Sequence, residues 1–258
     1  MINLKKSTFI QKISLFLLLS LSLFSAPLKV GVSSDFDFEL VKFIMEQDET
    51  LDVEIVRYEN EKNLNRDLIN KKTDVNIFQT LDYLNSYNDL DGGSIISIGE
   101  IYAEPMGIYS QKHNSIKSMV AGAVIAVPED PSNKKRALIF LEEMGLIKLN
   151  YEKKITIEGI LFNPFEIQII GVPASVLPRF LEVADYVILN GRTAFSVGYI
   201  PLKDSLFLES FNKKYINVIA SREKMVKNKK IIQFSKLAKS KGTKLFILEK
   251  YGNNVSFF

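Results

Sequence analysis

The sequence of 258 residues contains no cysteine and a single histidine, His113. The lack of cysteine excludes disulfides, thiolate nucleophiles, iron–sulfur clusters and cysteine-based zinc sites. One histidine cannot build a multi-histidine metal site, and a Ser–His–Asp triad would have to use it, although it lies in a polar segment. The sequence also lacks the Gly-x-Ser-x-Gly, Walker and G-x-G-x-x-G patterns. We therefore expect no catalytic residues, no metal and no other cofactor.

The first 26 residues have the pattern of a secretory signal peptide. Three lysines lie within the first 12 residues, and an apolar run from Ile13 to Phe24 follows. Ala26 is a small residue suited to a cleavage site, although Pro27 leaves the exact cut open. The run is short for a membrane span, so an uncleaved N-terminal anchor is the alternative interpretation.

The net charge of the chain comes from this leader alone. The whole chain has a formal charge of +3, and the leader carries three lysines and no acidic residue. The remainder is therefore neutral, and its basic pairs are dispersed rather than gathered in a stripe with aromatics. We expect no nucleic-acid partner.

Strand and helix patterns alternate along the rest of the chain. Strand-type segments at 28–32, 53–56 and 74–78 are separated by segments with helical spacing, a βαβαβ order that predicts a parallel sheet covered by helices. A second series follows, with strands at 124–127, 166–170 and 186–189 and helices at 133–144 and about 174–181. The apolar strand 216–220 and two amphipathic helices, 229–239 and 244–251, end the chain.

This order predicts two α/β lobes, the second inserted into the first. Lobe 1 would hold residues 27–108 and 218–258, and lobe 2 residues 109–217. We expect the chain to cross between the lobes along two extended apolar segments, Met106–Ser110 and Asn217–Ser221. Two hinge strands joining two lobes describe a clamshell that closes on a ligand. A single doubly wound domain with insertions is the alternative.

A helix start after a strand is the sharpest local signal for a binding site. The segment 130–136 places Asn133 and Arg136 in the first turns of a helix, whose free N–H groups and dipole favour an anion. The Arg136 guanidinium can clamp a carboxylate there, with a neutral amide contact from Asn133. A capped surface helix with a solvated arginine remains the alternative.

Other candidate residues follow strands in the same topological position. Phe78 and Tyr83 lie at the end of one predicted strand, where ligands bind in open α/β sheets, although such aromatics more often belong to the core. Asn190 follows another strand and could bind an ammonium or a carboxylate. An ordinary turn that needs Asn and Gly for its backbone angles explains Asn190 equally.

Several strings together resemble the NLPA/MetQ family of methionine-binding (lipo)proteins of ABC importers. They include Asp-Val-Asn-Ile-Phe-Gln at 74–79, Glu-Pro-Met-Gly-Ile-Tyr-Ser at 104–110 and Ile-Ala-Val-Pro-Glu-Asp-Pro-Ser-Asn at 125–133. Further matches run in order to residue 220.

The resemblance implies a two-lobed periplasmic-binding-protein fold, a type II-like clamshell with two hinge strands. It implies a small-molecule ligand, methionine or a related amino acid, held between the lobes by a monomeric receptor without enzymatic activity. It also implies a membrane permease and its ATPase as partners. The family's aromatic walls correspond to Phe78 and Tyr83, its carboxylate-binding residues to Arg136 and Asn133, and its late Asn to Asn190.

Three departures from the family pattern fall in the candidate site. Thr80 stands where the family usually has His, Glu61 where it usually has Tyr, and Arg192 follows Asn-Gly where the family often has Asn. We include these three residues in the predicted ligand site. Because they make the side-chain half of the pocket more polar, a more polar amino acid or a short peptide is an alternative ligand.

The missing cysteine also bears on localisation and on the class of protein. Many family members are lipoproteins acylated on a cysteine, which this chain lacks, so we expect a soluble receptor that is periplasmic or secreted after signal cleavage. An exported amino-acid-processing enzyme, or a surface adhesin or sensor on the same fold, remains the alternative to transport.

Overall fold

The computed structural model describes residues 26–257 and arranges their strands in two five-stranded sheets and one two-stranded pair. The predicted signal peptide, residues 1–26, lies outside the described residues except for Ala26. Within the described part of the chain, no helix combines the length and apolar character that crossing a membrane requires.

The first sheet joins strands from both ends of the chain. In spatial order they are β2 (Val53–Arg57), β1 (Leu28–Val32), β3 (Val75–Thr80), β12 (Ile216–Arg222) and β4 (Ile95–Ala103). Strand β1 pairs in parallel with β2 and β3, whereas β12 runs antiparallel to β3 and β4. The βαβαβ start therefore forms the parallel part, and the strand returning from the C-terminal region makes the sheet mixed.

The second sheet is built from the middle of the chain and has the same mixed character. Its order is β11 (Phe207–Leu208), β5 (Met106–Tyr109), β10 (Tyr186–Asn190), β6 (Val124–Pro128) and β9 (Gln168–Val172). Strand β6 pairs in parallel with β9 and β10, and β5 runs antiparallel to β10 and β11. The two-stranded pair is β7 (Lys148–Leu149) and β8 (Ile160–Phe162).

Helices cover both faces of each sheet. Around the first sheet lie α1 (Asp35–Glu46), α2 (Lys62–Ile69), α3 (Leu81–Asp91), α7 (Lys229–Ala238) and α8 (Lys241–Tyr251). Around the second lie α4 (Pro131–Glu143), α5 (Gly191–Ser196) and α6 (Pro201–Asp204). Each sheet with its helices is called a lobe below, the first lobe and the second lobe.

Each lobe has an apolar core on both faces of its sheet. In β12, Ile219 packs with α1, α7 and α8, while Val218 and Ala220 face Leu68 of α2 and Leu84 of α3. This alternation follows from the two-residue period of a strand, and it explains why β12 is apolar at every position from 218 to 220. Each fully buried aliphatic side chain contributes about 1.5–3 kcal/mol. The two cores make each lobe a stable platform for the residues between them.

The structure refines the predicted crossings between lobes. Segments 106–110 and 217–221 contribute strands to the sheets, since their apolar side chains are buried there. The chain passes between the sheets just before each of these segments, at Glu104–Pro105 and within 209–215. The lobe limits of 27–108 with 218–258, and 109–217, stay a prediction.

One predicted helix is wrong. The segment 174–181 forms only a short 3-10 helix at Leu177–Leu181. Pro178 has no N–H to donate to the carbonyl of Ala174, so an α-helix starting at Ala174 would lose a hydrogen bond in its first turn.

Candidate functional site

A cavity of about 130 Å³ lies between the two lobes, at the carboxyl ends of several strands. Its volume is close to that of the roughly 150 Å³ apolar cavity known to admit benzene. All the residues that the sequence analysis placed in the site line this cavity: Glu61, Phe78, Thr80, Tyr83, Asn133, Arg136, Asn190 and Arg192. That they bind a ligand stays a prediction.

Four helices begin at the cavity wall. Their N-cap residues, which all line the cavity, are Ser34, Thr80, Asp130 and Asn190. Each side-chain oxygen accepts a hydrogen bond from a backbone N–H in the first turn of its helix. Each cap is the last residue of its strand or lies two positions beyond it, at the ends of β1, β3, β6 and β10, so the turns that start these helices bring polar groups to one place.

Arg136 is buried in the deep part of the cavity and bound to the protein's own carboxylate. Its side chain is 2% exposed, and its Nη2 lies 2.5 Å from a carboxylate oxygen of Glu209. The same Nη2 donates to the backbone oxygen of Glu104 at 2.8 Å, and the guanidinium stacks on the ring of Tyr215 at 3.8 Å. The remaining nitrogen, Nη1, has no hydrogen-bond partner among the described residues. The bidentate clamp predicted for a ligand therefore holds Glu209, and one N–H group is left for the cavity.

The start of α4 also differs from the predicted anion site. Asp130 caps the helix, accepting from the backbone N–H of Asn133 at 2.9 Å and from its Nδ2 at 3.1 Å. A carboxylate of the protein thus occupies the position that was predicted for a ligand carboxylate. The side-chain oxygen of Asn133 remains available as an acceptor in the cavity.

Glu104 is a cavity residue that the sequence analysis missed. It lies at the first crossing between the lobes and is 3% exposed. Its Oε1 lies 3.7 Å from Nε of Arg192, whereas its Oε2 is buried and has no hydrogen-bond partner among the described residues. Burial raises the pKa of this carboxyl, and Arg192 and Arg136 oppose that shift.

Arg192 is held by groups of the opposite lobe. It lies in α5 of the second lobe, and its Nη1 donates to both carboxylate oxygens of Asp37 at 2.7 Å. Its Nη2 donates to the backbone oxygen of Phe78 at 3.0 Å and to Oδ1 of Asn217 at 3.2 Å. Asp37 is 1% exposed, and burial raises the pKa of its carboxyl while Arg192 opposes the shift. All three nitrogens of the guanidinium therefore lie against protein groups.

Phe78 and Tyr83 supply the aromatic rings of the cavity wall. The rings of Phe78 and Tyr83 meet edge to face, with 5.6 Å between their centroids. Glu61 lines the cavity beside Tyr83 and accepts a hydrogen bond from Oγ of Ser33 at 3.2 Å. Two larger grooves open on either side of Glu61 and Tyr83, so this is the mouth of the cleft.

Two contacts cross the mouth. Oγ of Ser132 in α4 donates to Asp82 of α3 at 2.8 Å, and Nζ of Lys62 lies 3.4 Å from Glu129. They bring the lobes together over the cavity. The second contact is exposed and contributes little.

Some missed residues had a signal in the sequence and others had none. Glu104 is a charged residue in an otherwise apolar stretch, 101–109, which marks a buried carboxylate that needs partners. Glu209 lies in a polar segment and is 73 positions from Arg136, so nothing local links the two. Asp37 looked like an ordinary acidic residue in the first turn of a helix.

Comparisons with known proteins agree with this architecture. The model of the family described as NlpA lipoprotein matches residues 28–256. The probable D-methionine-binding lipoprotein MetQ of Pasteurella multocida (strain Pm70) is 32% identical over 214 residues, which cover 81% of this chain and 78% of that protein.

Solved structures are similar along most of the chain. A periplasmic substrate-binding protein of an ABC transporter from Coxiella burnetii has a TM-score of 0.84 and 31% identity, covering 89% of this chain and 99% of that one. A nutrient binding protein from Burkholderia cenocepacia, solved bound to methionine, has a TM-score of 0.85 and 32% identity, covering 89% and 100%. The predicted family and the two-lobed fold are confirmed.

The predicted localisation is wrong. We expected a soluble receptor without a lipidated cysteine, whereas the matched family and the Pasteurella relative are both named lipoproteins. These names point to attachment through a lipid. The absence of cysteine excludes one type of acylated residue. It does not determine whether a protein is attached to a membrane.

Proposed function

We propose that this chain, which belongs to the NlpA lipoprotein family, is the solute-binding receptor of an ABC importer. It captures methionine or a related amino acid between its lobes and delivers it to a membrane permease driven by an ATPase. The names of the relatives support this assignment, since one is a D-methionine-binding lipoprotein and another was solved with methionine bound.

One observation in the cavity carries the proposal. Two buried groups of opposite charge, Arg136 and Glu104, line the cavity, and each has one side-chain atom without a hydrogen-bond partner among the described residues, Nη1 of Arg136 and Oε2 of Glu104. A free amino acid has one carboxylate and one ammonium on the same carbon. Its carboxylate accepts from Nη1 of Arg136 while its ammonium compensates the Glu104 carboxylate, whereas a simple anion or a simple amine would compensate one of these groups and leave the other without a partner.

The remaining cavity residues take the rest of the ligand. Asn133 and Asn190 supply amide groups to its polar end, and Phe78 and Tyr83 pack against its side chain. Thr80 is committed through its oxygen to the backbone N–H of Tyr83, so it contributes mainly its methyl group.

The protein acts by binding and release rather than by catalysis. Ligand bridges the lobes and stabilises the closed arrangement, which is the form the permease recognises. A monomer is sufficient, because both lobes of one chain supply the cavity, and nucleic acid has no part in this function.

Calorimetry on the protein freed of bound solute tests the proposal. We expect micromolar or tighter binding of L-methionine, D-methionine or both. The analogue without the ammonium, 4-(methylthio)butanoate, and the one without the carboxylate, 3-(methylthio)propylamine, should each bind at least a hundredfold more weakly.

Glu61 motivates a second arm of the same experiment, with lysine and glutamine as ligands. A carboxylate at the mouth favours a ligand side chain that is polar or cationic. Tight binding of lysine or glutamine without binding of methionine would keep the receptor class and replace the ligand. Binding of no amino acid in either arm would overturn the proposal.

A further inference from the structure

The cluster around Arg192 does more than line the cavity. One guanidinium of the second lobe contacts three elements of the first lobe: the start of α1 through Asp37, the end of β3 through the backbone oxygen of Phe78, and β12 through Asn217. Asn217 in turn donates to the backbone oxygen of Tyr102 in β4 at 3.3 Å. Arg192 therefore links one lobe to several strands and a helix of the other.

These contacts lie at the inner end of the cleft. Arg192 and Glu104 line the cavity but neither of the two grooves that open at the mouth. Glu104 belongs to the first crossing between the lobes and lies 3.7 Å from Arg192. A contact between the lobes beside a crossing lies close to the point about which they turn, and it holds when they are closed.

The ion pair of Asp37 and Arg192 is shielded from water, since the Asp37 carboxylate is buried and the Arg192 side chain is nearly so. This makes the pair sensitive to the loss of either partner. Asp37 is 1% exposed and the Arg192 side chain is 13% exposed. Oγ of Ser34 donates a further hydrogen bond to Asp37 at 2.7 Å, so the carboxylate is fixed before Arg192 reaches it. Removing either partner leaves a charge in a poorly solvated place, and the lobes can relieve this by moving apart to admit water.

We propose that Arg192 is a positioning residue that pins the second lobe to the first through Asp37 and so determines how readily the cleft closes. The nitrogens of its guanidinium already lie against groups of the protein: Asp37, Phe78, Asn217 and Glu104. Arg192 therefore acts on ligand affinity through the angle between the lobes rather than through a contact with the ligand. This inference rests on the proposed function for its effect on affinity, but its effect on the lobes is independent of any ligand.

Asp37→Asn is the decisive variant because Asp37 does not line the cavity. If Arg192 pins the lobes, weakening its partner lowers the closed fraction and weakens binding. Should the closed fraction fall to about one-tenth of its value in the parent, the apparent dissociation constant for methionine rises about tenfold. If Arg192 were instead a ligand group, releasing it from Asp37 would leave binding unchanged or make it tighter.

The angle between the lobes is measured with spin labels on Glu59→Cys and Ser175→Cys, two exposed residues on opposite sides of the mouth. The chain has no cysteine of its own, so both labels are specific. Without ligand, Asp37→Asn should shift the distance distribution to longer values relative to the labelled parent.

Two further variants keep the result interpretable. Arg192→Met with Asp37→Leu removes both charges, and it should widen the mouth and weaken binding even if Asp37→Asn folds poorly. Glu39→Gln removes another carboxylate of α1, whose ion pair with Lys250 stays within the first lobe, and it should change neither quantity.

Unchanged distances in both Asp37 variants, or methionine affinity in Asp37→Asn equal to or tighter than the parent's, would overturn the inference. If the parent binds no amino acid while the Asp37 variants still widen the mouth, the pinning role stands and the proposed function fails.

Discussion

Removal of the Arg136 guanidinium should reduce stability and affinity for separate reasons, and the structure allows the two effects to be divided. Glu209 is 6% exposed and receives its charge compensation from Arg136, with one additional hydrogen bond from the backbone N–H of Met106 at 2.9 Å. In Arg136→Met that carboxylate is left buried without a cation. The free energy of unfolding should fall by about 3–5 kcal/mol.

A second substitution should restore about half of that loss. In Arg136→Met with Glu209→Leu both charges of this ion pair are removed, and replacing a buried ion pair by apolar groups is often close to neutral. The backbone N–H of Met106 then lacks its acceptor, which costs about 1–3 kcal/mol. Because the single variant loses about 4 kcal/mol at mid-range and the double variant about 2, the double variant should be more stable by about 2 kcal/mol.

Affinity should behave differently. Neither variant has a partner for the ligand carboxylate, and truncating one side of a buried charge pair costs about 2–5 kcal/mol of binding free energy. That corresponds to methionine binding weakened by about 30-fold to several thousand-fold in both variants. Restoring stability should not restore binding.

Urea unfolding measures the first quantity and calorimetry with methionine the second. Arg222→Met is a suitable control, since this partly buried arginine of β12 pairs with Asp74 outside the cavity. It should lower stability and leave affinity within a factor of two or so. Wild-type affinity in the double variant of Arg136 and Glu209 would refute the assignment of Arg136 to the ligand carboxylate.

Three further predictions concern other parts of the molecule. Methionine affinity should fall as the pH drops through the raised pKa of Glu104, since a protonated carboxyl cannot pair with an ammonium. Calorimetry on Glu104→Gln should give weaker binding that does not change over this pH range. A pH dependence in Glu104→Gln equal to the parent's would contradict the prediction. Asn76→Ala should lower the unfolding free energy by about 1–3 kcal/mol, because Asn65 and Gln79 each lose a buried hydrogen-bond partner; an unchanged urea midpoint would argue against a stabilising network. Gly145→Ala should cost about 1–2 kcal/mol at a backbone φ of +72° with unchanged methionine affinity, and thermal unfolding that shows no loss would disprove the strain.

Local patterns predicted the elements that depend on local physics. The strands 28–32 and 124–127 and the helices that follow them were found because hydrophobic period and capping residues act over a few positions. The antiparallel pairing of β12 with β3 was not predicted. It joins Asn217 to Thr80, and no period in either segment reports a partner that distant.

The same limit applies to the site. The eight residues brought to the cavity were found from strand ends and from the family resemblance, which supply positions but not partners. Arg192 was predicted as a polar residue of the ligand site, whereas its guanidinium binds a carboxylate 155 positions away in α1. Packing between the lobes determines which buried charges pair with each other. The sequence of a single segment carries no information about that packing.

Different charged residues of the cavity face the two ends of the ligand. At the inner end Arg136 and Arg192 are each compensated by a carboxylate of the protein, so their positions are set before a ligand arrives and little reorganisation opposes binding. With Glu104 the inner end carries one uncompensated negative charge, which favours a zwitterion oriented by its ammonium over a plain carboxylate. At the mouth, Glu61 contributes a carboxylate to the cavity wall and accepts a hydrogen bond from Oγ of Ser33. Recognition of the amino-acid end therefore depends on a rigid network that tolerates few changes, whereas a change at Glu61 alters the accepted side chain without disturbing that network.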